Sequence, residues 1–224
     1  LVEKAGSSVA GVAEQTVETA DRLARSFFTG DVTEQFLSSL PEIEGAGAGR
    51  LELATLDATE TFTRREEHMA MWDLVPLGAS VTEIRVPVTY RYHLDLAGDW
   101  RVEVADGIAI VHAPSIRPSQ PPAIHTDRLE KHVEADWLLA DDAQAQLEEM
   151  ERSLTPRLTR RAQNPKHVDL VRDEARRTVG AFIKQWLLRE EQWGLDGVRA
   201  IKVLFADEVD IDPSVIAPSI VETG

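Results

Sequence analysis

Between Val81 and His112 the chain alternates with a period of two. Ile84, Val86, Val88, Tyr90, Tyr92, Leu94 and Leu96 take every second position, with Glu83, Arg85, Pro87, Thr89, Arg91, His93 and Asp95 between them. Successive side chains of an extended strand point to opposite faces, so this run makes a strand with one apolar side. Trp100, Val102 and Val104 continue the parity. Asp106-Gly107 then turns the chain into a second strand from Ile108 to His112. An apolar sheet face of this length must be covered, and that need fixes what the remaining residues have to supply.

The cover lies downstream. Asp141-Asp142 opens a helix with Ala143, Leu147, Met150, Leu154 and Leu158 on one side, and acidic groups in its first turn suit the helix dipole. Asn164-Pro165 pairs an N-cap with proline at the first helical position. The helix that follows turns Val168, Val171, Ala175, Val179, Phe182, Ile183 and Trp186 inward and ends near Trp193-Gly194. Val198 to Phe205 reads as a last strand returning to the sheet. Upstream, Leu51 to Arg65 reads as β, while Glu66 to Leu74 is ambiguous and is closed by Pro76-Leu77-Gly78. Pro87 lacks a donor, so its strand should be an edge or carry a bulge there. Four prolines between Pro114 and Pro122 predict an extended connection. Thr126-Asp127 predicts a short helix from about Arg128 to Leu139.

At the amino end, Val2, Ala5, Val9, Val12, Ala13, Val17, Ala20, Leu23, Ala24 and Phe27 share one face of a helix over Val2 to Phe28. Thr33 to Leu40 adds a short helical turn before Pro41. Gly45 to Gly49 lacks the strand-before, helix-after context of a phosphate loop and reads as a linker. The expected fold is therefore α+β: one antiparallel sheet of four to five strands, two to three C-terminal helices on one face, and an N-terminal helix. Residues 1–49 form the N-terminal helix and Gly/Ala linker, 50–206 the α+β domain, and 207–224 a loosely held acidic tail.

Composition narrows the function. A net charge of −15 opposes nucleic acid and anionic membrane surfaces as main partners. The absence of cysteine excludes disulfides, thiolate catalysis and cysteine-held zinc. The apolar runs fall short of the roughly 18 residues that span a bilayer. The sequence opens on Leu1, and a membrane anchor upstream of it is the expectation.

No catalytic residue, cofactor or metal site is assigned. His125, His132 and Asp136 lie on a predicted helical stretch where His132 and Asp136, at i and i+4, could share a metal, but no third ligand is forced nearby and a solvated contact is the more economical reading. His68 and His167 read as exposed polar residues, His93 as a member of the polar strand face, and His112 as the end of the hairpin. Glu208, Asp210 and Asp212 alternate as in a calcium loop, without the glycine or the closing glutamate. No G-x-S-x-G elbow occurs. Arg157, Arg160, Arg161, Lys166, Arg172, Arg176 and Arg177 gather positive charge in an acidic chain. They read as a salt-bridged outer face, with an interface to an acidic partner or subunit as the alternative.

Several stretches, in order, resemble a bacterial envelope family of unknown function, domain of unknown function 4230. They are Thr59 to Phe62, Tyr90 to Leu96 with Asp95-Leu96, Ile108 to Val111 running into Ala113-Pro114-Ser115-Ile116, and the helix Ala175 to Leu188. The resemblance covers about Thr55 to Phe205. His93 and Leu94 stand where members more often have glycine and a small apolar residue, and Ala113 where leucine is usual. The resemblance implies a domain held outside the cytoplasm by an N-terminal transmembrane helix, which makes Val2 to Phe28 a stalk, and it brings no catalytic residue. The expected function is a non-enzymatic, membrane-tethered binding or assembly domain that acts through a protein partner or self-association, without nucleic acid. An enzyme with an unlisted site and a band-7-like oligomerising scaffold are the alternatives.

Overall fold

The computed structural model describes residues 32–40, 49–70, 75–191, 193–194, 197–208 and 210–222. The helix expected over Val2 to Phe28 lies outside them, as do residues 45–48 of the glycine-rich linker. Among the described residues the fold is α+β. Helix α1 spans residues 32–40, followed by strands β1 (Arg50–Ala70), β2 (Val75–Asp95), β3 (Arg101–Ala105), β4 (Ile108–Ala113), β5 (Arg117–Ile124) and β6 (Glu130–Ala135). Helices α2 (Ala140–Arg152), α3 (Leu154–Ala162) and α4 (Pro165–Arg189) come next, then β7 (Ala200–Phe205) and β8 (Ile220–Val221).

The strands form two four-stranded sheets rather than the single sheet expected, ordered β1-β2-β5 with β6 also on β2, and β3-β4-β7-β8. The chain divides correspondingly into two compact units. One comprises the described residues of Leu1–Leu51, Leu94–Ser115 and Arg176–Gly224, the other Glu52–His93 and Ile116–Ala175. Of the four points where the chain passes between units, three fall inside single elements, β1, β2 and α4, and one falls between β4 and β5. An unbroken apolar alternation therefore serves two cores, and nothing in its period marks the change.

In the second unit the even residues of β2 are sealed: Ile84, Val86, Val88, Tyr90 and Tyr92 are at most 1% exposed. Helices α2 and α3 follow β2 in step. Gln146 Nε2 reaches Ser80 Oγ at 3.4 Å, and the Tyr92 hydroxyl donates to Ala162 O at 3.2 Å. The expected helix from Asp141 is broken at Ser153 into α2 and α3. Pro156 has no N–H to give the Arg152 carbonyl, which interrupts the i to i−4 ladder. Leu147, Met150, Leu154 and Leu158 remain buried across the break.

Pro87 marks neither an edge strand nor a bulge but the point where β2, paired on both sides, changes partner. β6 pairs with β2 from Ser80 to Arg85, and β5 takes over from Val88 to His93. The Pro87 carbonyl accepts from His125 N at 3.0 Å, so its missing donor faces the flank where the ladder changes partner. Two further expectations are overturned here. The proline stretch is not a connection but strand β5, an edge position that tolerates lost donors, with its register broken between Thr89 and Arg91 of β2, opposite Gln120-Pro121-Pro122. The helix expected from Arg128 to Leu139 is strand β6 between two 3-10 turns. Its side chains are mostly exposed, so backbone pairing to β2 rather than an apolar stripe holds it.

The first unit closes its sheet with a parallel β4/β7 pair, Ile108↔Ala200 through Ala113↔Phe205. The β3–β4 hairpin turns at Asp106 (φ 54) and Gly107 (φ 74), the positive angles a two-residue hairpin of type I′ requires. Phe36 of α1 meets Trp100 edge-on at 5.3 Å and Trp186 of α4 at 5.1 Å. Thr33 Oγ1 fixes α1 by accepting from Val102 N and donating to Val102 O, both at 3.1 Å. The terminal segment, expected to be loose, is tied down. Ser219 N donates to Ile201 O at 2.7 Å and Glu222 N to Arg199 O at 2.8 Å, where β8 completes the sheet edge.

Candidate functional site

The second unit holds two polar constellations. The first is an open cleft of about 440 Å³ lined by Asp57, Thr59, Pro87, Thr89, His125 and Arg128. β1 supplies Asp57, the polar face of β2 supplies Thr89, and the chain leaving β5 supplies His125. Thr89 Oγ1 donates to Asp57 Oδ1 at 2.5 Å and lies 2.9 Å from His125 Nε2. A hydroxyl has one proton. The Thr89 hydroxyl stands between Asp57 and His125, and the direction of its contact with the imidazole follows the ring's tautomer. The cleft offers a histidine, a guanidinium and a carboxylate to solvent, an arrangement suited to holding a polar group.

The second constellation is buried. Glu60, 7% exposed, accepts from the Tyr90 hydroxyl at 3.0 Å and forms an ion pair with Arg161 of α3. Burial pushes the Tyr90 phenol up to about 12, with Tyr92 adding to the shift, and burial alone takes Tyr92 to about 12. The His167 ring stands edge-on to Tyr90 at 5.2 Å. Its pKa is lowered, first by burial and then by the Arg161 charge. The His167 Nδ1 is enclosed without a hydrogen-bond partner among the described residues. His167 is therefore part of an interior network and not the exposed polar residue expected. With Tyr90 fully enclosed, the network holds α3 and the start of α4 on β2 and leaves no approach for a substrate to the phenol.

The other residues singled out from sequence are dispersed. His132 and Asp136 are not on a helix. His132 pairs across to Glu83 within β6 and Asp136 follows that strand, so four extended residues separate them by about 13 Å. His93 is buried, its Nδ1 2.8 Å from Ser119 Oγ. His112 Nε2 accepts from Arg101 at 3.1 Å, and burial, then Arg101, lower its pKa. The His68 side chain lies outside the described residues. Glu208 is taken up by Arg176 and by Phe205 N (2.9 Å), and Asp212 Oδ1 accepts from Ser214 N (2.8 Å). Among the described residues, no three histidine or carboxylate side chains converge on a possible metal position.

The basic cluster divides. Arg161 serves Glu60, Arg172 pairs with Asp169, and Arg176 pairs with Glu208. Arg157 and Arg161 lie over the Phe62 ring at 5.7 and 5.5 Å. Asp57, Glu60, Thr89 and Arg128 carried no signal in the sequence. Each is an ordinary polar residue until strand pairing places it. Comparison with protein-family models, curated proteins and solved structures finds no match to this chain.

Proposed function

We propose that this chain is a non-enzymatic binding and assembly domain of a bacterial cell envelope, held outside the cytoplasm by an N-terminal anchor and acting through its protein surface. The observation that carries the binding role is Trp137 beside Leu138, 83% and 57% exposed. Leaving two adjacent large apolar side chains in water is unfavourable, and tryptophan is the residue most enriched at interface hot spots. The openness of the cleft at Thr89 weighs against the enzyme alternative. Envelope placement rests on the family resemblance. No described helix is long and apolar enough to cross a membrane.

The test is photo-crosslinking from position 137 of the full-length protein in its own membrane. A discrete adduct that disappears when Leu138 is changed to Ala supports a surface binding role. Absence of any adduct, together with turnover that depends on Thr89 or His125, overturns it. A reporter fused after Gly224 tests placement, and cytoplasmic activity of the reporter rejects the envelope assignment.

A further inference from the structure

The second unit carries two unlike apolar patches of opposite charge at opposite ends of its helical cover. Trp137 and Leu138 stand where α2 begins, flanked by Glu134, Asp136 and Asp141. Leu170, 70% exposed, stands in the second turn of α4, where α3 has ended. Asp173 and Glu174, in the next turn after Leu170, are each engaged with a partner, whereas Arg160 in the last turn of α3 and Lys166 one turn before Leu170 are exposed. Neither of these two cations forms an ion pair with a described residue, whereas Arg161, Arg172 and Arg176 do. Lys166 and Leu170 are one helical turn apart, so charge and apolar group share a face. Helices α2 and α3 lie between the two patches along the chain.

An unpaired basic patch in a chain of net charge −15 invites an acidic partner, and the other end of the same unit is one. We infer that copies of this chain associate head to tail, the acid-flanked Trp137–Leu138 patch of one docking on the Arg160–Lys166–Leu170 patch of the next. The inference rests on the binding-domain reading and names its partner as a second copy. Because the two surfaces differ, the contact is heterologous. Each added copy leaves one patch of each kind open, so growth continues unless a ring closes. Opposed charges set the orientation and speed of encounter, while the buried tryptophan supplies most of the affinity.

Light scattering of the chain at low ionic strength reads this directly. The wild type should gain mass with concentration past a dimer and lose that mass in high salt. Two variants separate the surfaces: Arg160→Glu/Lys166→Glu removes the basic patch, and Trp137→Ala/Asp141→Lys removes the acidic one. Both sets of side chains are exposed, and circular dichroism confirms that each variant is folded. Alone, each variant should be monomeric. Mixed, they should form a one-to-one dimer that does not grow, because each retains one competent end. A wild type monomeric at every concentration overturns the inference. So does a dimer unaffected by either variant, or a mixture that stays monomeric. If the wild type is monomeric while crosslinking from position 137 still yields an adduct with another protein, self-association fails and the binding-domain reading stands.

Discussion

Removal of Glu60 tests the buried network most directly. In Glu60→Ala the Tyr90 hydroxyl, attached to a residue with no exposed surface, loses its acceptor. An orphaned buried hydroxyl costs about 1–3 kcal/mol. Arg161 also loses its partner, but its side chain is 43% exposed and solvates readily, so that share stays under about 1 kcal/mol. The sum is about 1–4 kcal/mol. Glu60→Gln keeps an oxygen acceptor for Tyr90 and gives up only the charge, at a cost of about 1 kcal/mol. Tyr90→Phe removes the donor and leaves Glu60 with Arg161, again about 1 kcal/mol. In the double variant Glu60→Ala/Tyr90→Phe no hydroxyl is stranded, so its cost should fall short of the sum of the singles by about 1–2 kcal/mol. Urea unfolding measures the totals, with the Glu60→Ala midpoint lower by about 1 M for a slope of about 2–3 kcal/mol per molar. Hydrogen exchange over Val88 to Tyr92 localises the loss to the second unit. A Glu60→Ala protein within about 0.5 kcal/mol of wild type, or strictly additive singles, refutes the assignment of this bond as the tie between β1 and β2.

Three further outcomes follow from the same structure. Tyr90 and Tyr92 are held at about 12 by burial, against about 10 in an unfolded chain. Between those values the unfolded state has released protons that the folded state retains, so stability is full below pH 10 and falls as pH rises toward 12. The loss is about 2–3 kcal/mol per tyrosine, visible as a steep alkaline drop in melting temperature that Tyr92→Phe reduces. Gly107→Ala puts a Cβ at a φ of +74°, 3.1 Å from Arg199 Nε, and should lower stability by about 1–2 kcal/mol in a thermal melt. Glu208→Ala removes a buried carboxylate from Arg176 and from Phe205 N and should cost about 2–4 kcal/mol, whereas Glu208→Gln keeps the bond to Phe205 N and should cost less than half as much by urea unfolding.

What the sequence disclosed and what it withheld divide along a physical line. β2 and the helices α2 to α4 bury one face each, and a one-sided burden leaves a period that can be counted. Of their inward residues, Ile84 to Tyr92, Leu147 to Leu158 and Val171, Ala175, Val179, Ile183 and Trp186 are buried as read, while Val168 and Phe182 are half-buried. β5 and β6 are edge elements held by backbone hydrogen bonds to β2, and backbone pairing writes no pattern into side chains. So Arg117–Ile124 passed for a connection and Glu130–Ala135 for a helix. The cleft was hidden for a related reason. Asp57, Thr89 and His125 come together only through strand pairing and the chain's exit from β5, and no spacing within any one segment encodes that meeting.

The position of Glu60 within β1 bears on why a charge survives beneath the helices at all. Apolar residues on the inner face would pack α3 with less desolvation and, in comparable cases, with equal or greater stability. An apolar contact, however, is tolerant of sliding, and a helix resting on Val and Leu can shift by a turn at little cost. Glu60 removes that freedom because its carboxylate meets the Tyr90 hydroxyl on one strand and the Arg161 guanidinium on the helix together. The Tyr92 hydroxyl fixes the same helix a second time, at the Ala162 carbonyl. Two polar ties set α3 at one place along β2, and the exposed Arg160 on it and Lys166 and Leu170 after it take their positions from that register. Where self-association depends on presenting charges at a fixed site, loosening the register should weaken it. Glu60→Gln, which stays folded, is therefore expected to lower the apparent mass in low salt without touching either docking patch. An unchanged mass would show that the polar ties serve stability alone.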